Sequence, residues 1–88
     1  MLHMDKISLF RALSDDTRLK ILELLRNGDK CACEIPSKVG KSQPNVSLHL
    51  KILKDVGILA SRKDGKKIIY SVIKPEIYRL IEEAKNIK

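Results

Sequence analysis

The chain has 88 residues, enough for one small domain spanning residues 1–88, and its core must be aliphatic because it has no tryptophan and one phenylalanine. No apolar run approaches the roughly 20 residues of a membrane span, and the N-terminal stretch has an acidic residue where a secretory signal would be basic, so we expect a cytoplasmic protein. The net charge of +7 indicates either an acidic partner or a solvated basic surface.

The N-terminal part of the chain predicts two helices. Residues 4–13 have apolar side chains at helical spacing and predict the first helix. Ser14 is a suitable N-cap for the second helix, whose first turn would carry two aspartates at the positive end of the helix dipole. We expect the second helix to end at Asn27-Gly28, a pair that is typical of helix C-termini.

A short third helix is predicted around Pro36. Proline is tolerated in the first turn of a helix, where its missing N–H would have no partner in any case. We therefore expect the helix to begin near Cys33 and to end before Gly40. The segment Cys-Ala-Cys, which begins at Cys31, would then lie at the start of this helix.

The fourth predicted helix has two distinct faces. Ser42 is a natural N-cap, Pro44 fits the first turn, and Gly57 ends the helix. At 100° per residue, an apolar face is formed by Val46, Leu50 and Leu53. A polar and basic face is formed by Gln43, Ser47, Lys51 and Lys54. Such a helix packs through its apolar face and leaves the polar face for a partner.

A basic hairpin and a last helix complete the chain. Strands are predicted over residues 58–63 and 66–72, and they are joined by Asp64-Gly65, a signal for a type I′ turn. The cations around this turn are Arg62, Lys63, Lys66 and Lys67. Pro75 opens the last helix. The apolar stripe of that helix is formed by Ile77, Leu80, Ile81 and Ala84.

This order of elements, α-α-α-α-β-β-α, predicts a mainly helical α+β fold. A short helix, a turn and a longer helix before a hairpin form a winged helix-turn-helix. Residues 41–74 carry eight basic and two acidic residues, whereas residues 1–40 carry seven and six, and residues 75–88 carry three and three. A basic surface concentrated on one structural unit is typical of proteins that bind nucleic acid.

The candidate DNA contacts lie on the fourth helix and the hairpin. Small polar groups near the start of a recognition helix can reach base edges, and nearby cations can reach phosphates. We predict such contacts for Lys41, Ser42, Gln43, Asn45, Ser47, His49, Lys51, Lys54, Arg62, Lys63, Lys66 and Lys67. Four of these residues have an open alternative, and for Lys51 and Lys54 it is a merely solvated side chain. Ser42 can be a cap alone, and His49 can be a buried, hydrogen-bonded histidine.

Four motifs lie in order between Leu9 and Val72. They are ALSDDTRLKILELL from Ala12, CACE from Cys31, SQPNVSLHLKILKDVGIL from Ser42 and RKDGKKIIYSV from Arg62. Together they resemble the ArsR family of metalloregulatory repressors, and the run Ser-Gln-Pro-x-Val-Ser-x-His-Leu is the most specific of them.

The resemblance implies a homodimeric winged-helix repressor that binds operator DNA and is released by an inducer. Because the first and last helices form the dimer interface in this family, it assigns to that interface Ile7, Phe10, Ile77, Leu80, Ile81 and Ala84. A two-fold dimer would place two recognition helices one turn of double-stranded DNA apart, which predicts an inverted-repeat operator.

Cys31 and Cys33 match the arsenic-sensing version of the thiol site in this family, and they are the only cysteines. The resemblance therefore implies arsenite or another thiophilic ion as inducer, with no required cofactor, because thiolates select soft ions. The family's arsenic sensors often have a third cysteine where Pro36 stands here. His3 or Met4 of a neighbouring chain would then have to complete a three-ligand site.

Other functions stay open at this point. The two cysteines can respond to oxidation by pairing across the dimer, or they can be purely structural. A zinc site would need a second Cys or His pair, and the Asp and His pairs of the family's other metal site do not occur in residues 75–88. The alternatives are a redox-responsive or ligand-independent regulator and a winged-helix module that contacts protein or RNA. We do not expect an enzyme, because no nucleophile–base pair or carboxylate dyad occurs.

Overall fold

The structure is a computed structural model that describes residues 5–87, and it contains five helices and one three-stranded sheet. The elements in chain order are α1 (Lys6–Leu13), α2 (Asp16–Leu25), β1 (Lys30–Cys31), α3 (Ile35–Val39), α4 (Gln43–Asp55), β2 (Leu59–Asp64), β3 (Lys67–Val72) and α5 (Glu76–Lys85). The predicted winged helix-turn-helix is confirmed, and the predicted order lacks one element, the short strand β1. None of the helices described in residues 5–87 has the length and apolar character that crossing a membrane requires.

Asp15, rather than the predicted Ser14, caps α2. Its carboxylate accepts a hydrogen bond from the N–H of Arg18 at 3.0 Å, and this bond lowers the pKa of Asp15. Ser14 instead ends α1, where its hydroxyl donates to the carbonyl of Arg11 at 2.9 Å. Both residue types suit an N-cap, and the carboxylate is also attracted by the helix dipole. The predicted start of the first helix at Met4 lies outside the described residues.

One apolar core joins all five helices to β2. It is formed by Ala12, Ile21, Leu22, Leu25, Ile35, Val39, Val46, Leu50, Leu53, Ile58, Leu59 and Ile77. The predicted apolar face of α4 is the buried one, since Val46, Leu50 and Leu53 are each at most 2% exposed. Burial of this stripe turns the opposite side of α4 toward solvent.

The sheet is antiparallel, with the strand order β1-β3-β2. Its β2–β3 hairpin, residues 59–72, is the predicted one and is called the wing below. In β1, Cys31 lies opposite Ile69 of the wing. A strand of two residues leaves no alternating pattern in a sequence, which explains why it was not predicted. Because α3 begins only at Ile35, the prediction that Cys-Ala-Cys starts the third helix is wrong.

The wing turn is centred one residue later than predicted. Asp64 lies opposite Lys67, so the two turn residues are Gly65 and Lys66. Gly65 has a φ of 64°, and no residue other than glycine has a positive φ within residues 5–87. A positive φ at only the first central residue is the pattern of a type II′ turn, not of the predicted type I′. This register places Lys66 at the tip of the wing.

Tyr78 and Arg26 tie α5 to α2. The hydroxyl of Tyr78 donates a hydrogen bond to the carbonyl of Leu22. The guanidinium of Arg26 lies 4.8 Å from the centre of the Tyr78 ring, and its Nη1 lies 3.1 Å from Oε1 of Glu82. Burial raises the pKa of Tyr78 to about 12. The last helix is therefore held by polar contacts as well as by Ile77 in the core.

Replacement of Tyr78 by phenylalanine should lower the free energy of unfolding near pH 7 by about 1 kcal/mol, the usual net contribution of one hydrogen bond. This contribution should be complete below pH 10, the ordinary pKa of tyrosine, and should be lost as the pH rises to about 12, because the folded state holds the proton more tightly. Urea unfolding of both proteins at pH 7, 9 and 11 measures the difference. A difference of equal size at pH 9 and pH 11 would contradict the prediction.

Candidate nucleic-acid interface

The first turns of α4 present polar side chains to solvent. Oγ of Ser42 accepts a hydrogen bond from the N–H of Asn45 at 3.3 Å, which confirms the predicted cap. Gln43, Asn45 and Ser47 are all exposed. Their side chains form no hydrogen bond with any residue from 5 to 87, so their amide and hydroxyl groups are available to a partner.

His49, a predicted DNA contact, lies instead between α4 and α2. Its side chain is 13% exposed, and its Nδ1 lies 2.9 Å from Nη1 of Arg18 and 3.8 Å from Oδ2 of Asp15. Because a guanidinium can only donate, Nδ1 is the acceptor of this hydrogen bond. The structure thus places His49 in a half-buried, hydrogen-bonded position, close to the alternative interpretation.

Arg18 is a residue that positions α4, and the sequence analysis missed it. Besides its bond to His49, its Nε donates to the carbonyl of Ala12 at 2.7 Å and its Nη2 donates to the carbonyl of Arg11 at 3.2 Å. One side chain of α2 therefore holds the end of α1 and the middle of α4. No sequence motif signals this role, because the partners are two main-chain oxygens and a side chain 31 positions away.

Three of the predicted phosphate-binding cations already have partners within the chain. The pairs are Lys51–Asp55 at 2.7 Å, Lys54–Ser61 at 2.8 Å and Arg62–Asp29 at 2.9 Å. The second pair joins α4 to β2, and the third joins β2 to the segment before β1. An exposed ion pair contributes about 0–1 kcal/mol, so a DNA phosphate can compete for these cations.

The other four predicted cations lie at the two ends of the candidate surface. Lys41 precedes α4, and Lys63, Lys66 and Lys67 surround the wing turn. All four are exposed, and in the described part of the chain none of them forms a salt bridge. They can meet phosphate without first giving up another partner.

The two cysteines differ in exposure and are joined to each other. Cys31 is buried in β1, Cys33 is exposed in the turn before α3, and their sulfurs form a disulfide within one chain. Pairing across a dimer, which was one of the open alternatives, stays a prediction. The N–H of Cys31 donates to Oε2 of Glu34 at 2.9 Å, and the N–H of Ala32 donates to the carbonyl of Ile68 at 2.8 Å. The bond of Ala32 fastens the disulfide segment to the wing, and the bond of Cys31 closes the segment on itself before α3.

The residues around the disulfide fit a thiophilic ion only in part. Reduced Cys31 and Cys33 would provide two soft ligands. Within residues 5–87, no group of three or more His, Cys, Asp or Glu side chains is placed to hold a metal ion. The two residues expected to complete the site, His3 and Met4, lie outside the described residues.

The terminal helices leave an apolar groove open between them. This terminal-helix groove has a volume of about 400 Å³, and its apolar lining includes Phe10, Leu80, Ile81, Ala84 and Ile87. Ile7, another predicted interface residue, is exposed on α1. Ile77 was also assigned to the dimer contact, but it is 3% exposed and belongs to the core of the single chain.

Residues 15–61, from the N-cap of α2 into β2, match the family described as bacterial regulatory protein, arsR family. The probable mercury resistance operon repressor of Streptomyces lividans is 46% identical over 72 residues, which are 82% of this chain and 58% of that protein. The arsenical resistance operon repressor of Escherichia coli is 40% identical over 83 residues, which are 89% of this chain and 70% of that protein.

Among solved structures, the chain resembles the homodimeric winged helix-turn-helix DNA-binding domain Mb0332 of Mycobacterium bovis, described as a possible ArsR-family regulator. The TM-score is 0.81 at 26% identity, and the match covers 92% of this chain and 75% of that one.

Replacement of Arg18 by methionine should lower the free energy of unfolding by about 2–4 kcal/mol, because two helix-end carbonyls and Nδ1 of His49 lose their shared donor. Replacement of the exposed Arg11 by methionine is the matched control and should change it by less than about 0.5 kcal/mol. Urea unfolding of the three proteins measures both effects. Equal losses in the two variants would contradict the structural role of Arg18.

Proposed function

The chain belongs to the arsR family of bacterial regulatory proteins, and on that basis we propose that it is a transcriptional repressor that binds operator DNA as a homodimer and is released by a thiophilic metal or metalloid ion. Its family consists of regulators of transcription, and the chain is a regulator rather than an enzyme.

One observation carries the DNA-binding proposal: the basic end of α4 is in direct contact with the wing. The Lys54–Ser61 hydrogen bond joins the two at 2.8 Å. In this proposal Gln43 and Ser47 contact base edges, while the lysines of the wing tip contact the flanking phosphates. Phosphate contacts position the protein, and base contacts select the sequence.

The terminal-helix groove supports the homodimer. Exposed Phe10 of α1 lines the groove with the half-buried Leu80 and Ile81 of α5, and Ile7 is exposed on α1 as well, so a second copy would remove this apolar surface from water. The Mycobacterium bovis relative is itself described as homodimeric. Two copies related by a two-fold axis would present two α4 helices to the two halves of an inverted repeat.

We propose that the inducer binds at Cys31 and Cys33. Two electrons and two protons from a dithiol first reduce the disulfide, and the freed sulfurs then serve as thiolate ligands. The relatives named for mercury and arsenical resistance operons support a thiophilic ion. The position of the two cysteines also suits regulation. Cys31 pairs with the wing, which follows α4 in the chain, and Cys33 precedes α3, which comes before α4. A change at the sulfurs would therefore reach the elements that precede and follow α4.

Redox control is a second candidate, and the disulfide between Cys31 and Cys33 favours it. In this case the dithiol and disulfide forms themselves would differ in DNA affinity, with no metal involved. Formation of the bond constrains the segment that joins β1 to α3, while reduction releases it.

Replacement of both Lys66 and Lys67 by alanine should make the salt dependence of DNA binding less steep. The slope of log K against log salt changes by about 0.9 for each phosphate that the protein no longer neutralises, hence by about 3.6 for two lysines in each of two protomers. Fluorescence anisotropy with an operator selected from a random library measures the slope between 50 and 300 mM salt. Lys20→Ala, on the exposed side of α2, is the control and should leave the slope unchanged.

The double variant with Gln43→Ala and Ser47→Ala should lose sequence discrimination and keep its salt dependence. The operator should lose its advantage over random DNA by about tenfold or more, while the salt slope stays close to that of the wild type. Unchanged discrimination in this double variant would contradict the assignment of α4 as the recognition helix.

Release of the operator complex tests the cysteine site. Arsenite or mercuric ion should release the reduced wild-type protein from operator DNA. The double variant with Cys31→Ser and Cys33→Ser should stay bound to the DNA, because it lacks both thiolates. Release of the wild type by diamide alone, without any metal, would favour the redox candidate. Equal responses of the wild type and the double variant to every agent would remove the thiols from both mechanisms.

A further inference from the structure

Leu48 is a large apolar side chain on the outward side of α4. It is 56% exposed, whereas Val46 and Leu50, two positions away on either side, are at most 2% exposed. At 100° per residue, Leu48 lies about 170° from the centre of the buried stripe of α4. This leucine therefore adds nothing to the core, and it occupies the middle of the side that faces away from the protein.

The place of Leu48 distinguishes it from the other exposed apolar residues. A single exposed leucine is ordinary on a protein surface. However, Ile7, Phe10 and Ile87 lie at the chain ends beside the terminal-helix groove, and Ile73 lies between the wing and α5. Within α3 and α4, which are fully described, no other large apolar side chain is exposed. Leu48 is thus the one large apolar side chain that α3 and α4 leave exposed.

The neighbours of Leu48 on the helix surface favour DNA over an apolar protein partner. Asn45 and Lys51, three positions away on either side, are polar and exposed, while Pro44 and Ile52, four positions away, are its apolar neighbours. An apolar group between an amide and a cation suits the major groove, where the C5-methyl of thymine lies between polar base edges and phosphates. A protein surface that buried Leu48 would also have to desolvate this lysine.

We propose that Leu48 is a specificity-determining residue that contacts the C5-methyl group of a thymine in each half of the operator. The inference rests on the proposed function and extends it, because it names the base that the centre of α4 reads. Asn45, one turn closer to the helix N-terminus, is placed to accompany it with its amide. The operator should accordingly have an A·T pair at the position that Leu48 meets.

Deoxyuridine substitution tests this contact directly, because deoxyuridine differs from thymidine only in lacking the methyl group. An operator is selected from a random duplex library, and its thymines are replaced one symmetric pair at a time. Wild-type affinity should fall about fourfold per half-site at one position, the loss expected for one buried methyl group. Leu48→Ala should bind the thymine operator more weakly and should no longer distinguish thymine from deoxyuridine there.

Ile73→Ala is the matched control, since it truncates another exposed apolar side chain outside α4. It should keep the wild-type affinity and the wild-type preference for thymine. Circular dichroism should show that both variants are folded. Two results would overturn this inference but not the proposed function: a wild-type affinity that no deoxyuridine substitution changes, or a Leu48→Ala variant that still distinguishes thymine from deoxyuridine. Either result would favour a protein contact at Leu48. Failure of the library to yield any selected duplex would overturn the proposed function as well.

Discussion

The burial of one stripe of α4 is the constraint on which the rest of the structure depends. Val46, Leu50 and Leu53 each contribute about 1.5–3 kcal/mol by leaving water, which exceeds the 0–1 kcal/mol of a surface ion pair such as Lys51–Asp55. The rotation of α4 about its own axis is therefore set from inside the protein. Its polar side faces outward because the apolar side is committed to the core, and no surface contact is needed to hold it there.

Apolar packing alone does not fix the orientation of one helix relative to another, and the hydrogen bonds of Arg18 provide this constraint. Hydrogen bonds are directional, so the three bonds from this one guanidinium fix the end of α1 and the ring of His49 in α4 relative to α2. α1 is part of the proposed dimer surface and α4 is the proposed reading surface. The distance between the two reading helices of a dimer would thus depend on a side chain whose observed hydrogen bonds all lie within one protomer.

Features determined by local chemistry could be predicted from the sequence, and features determined by distant partners could not. The periodicity of α4 and its Ser42 cap follow from neighbouring residues, and both the winged helix-turn-helix and the buried stripe were predicted. The strand containing Cys31 exists only because β3 pairs with it, and the turn register follows from the pairing of Asp64 with Lys67. In the candidate site the exposed positions of α4 were predicted, but partners across the fold, such as Asp29 for Arg62, leave no sequence pattern.

The outward side of α4 has a consequence for how such a regulator can diverge. Gln43, Asn45, Ser47 and Leu48 are exposed, and their side chains make no hydrogen bonds within the described chain. Exchanging these four residues disturbs neither the buried stripe nor the guanidinium that orients the helix. After a gene duplication, one copy could acquire a new target promoter through surface changes alone, while its architecture and its effector response were inherited intact.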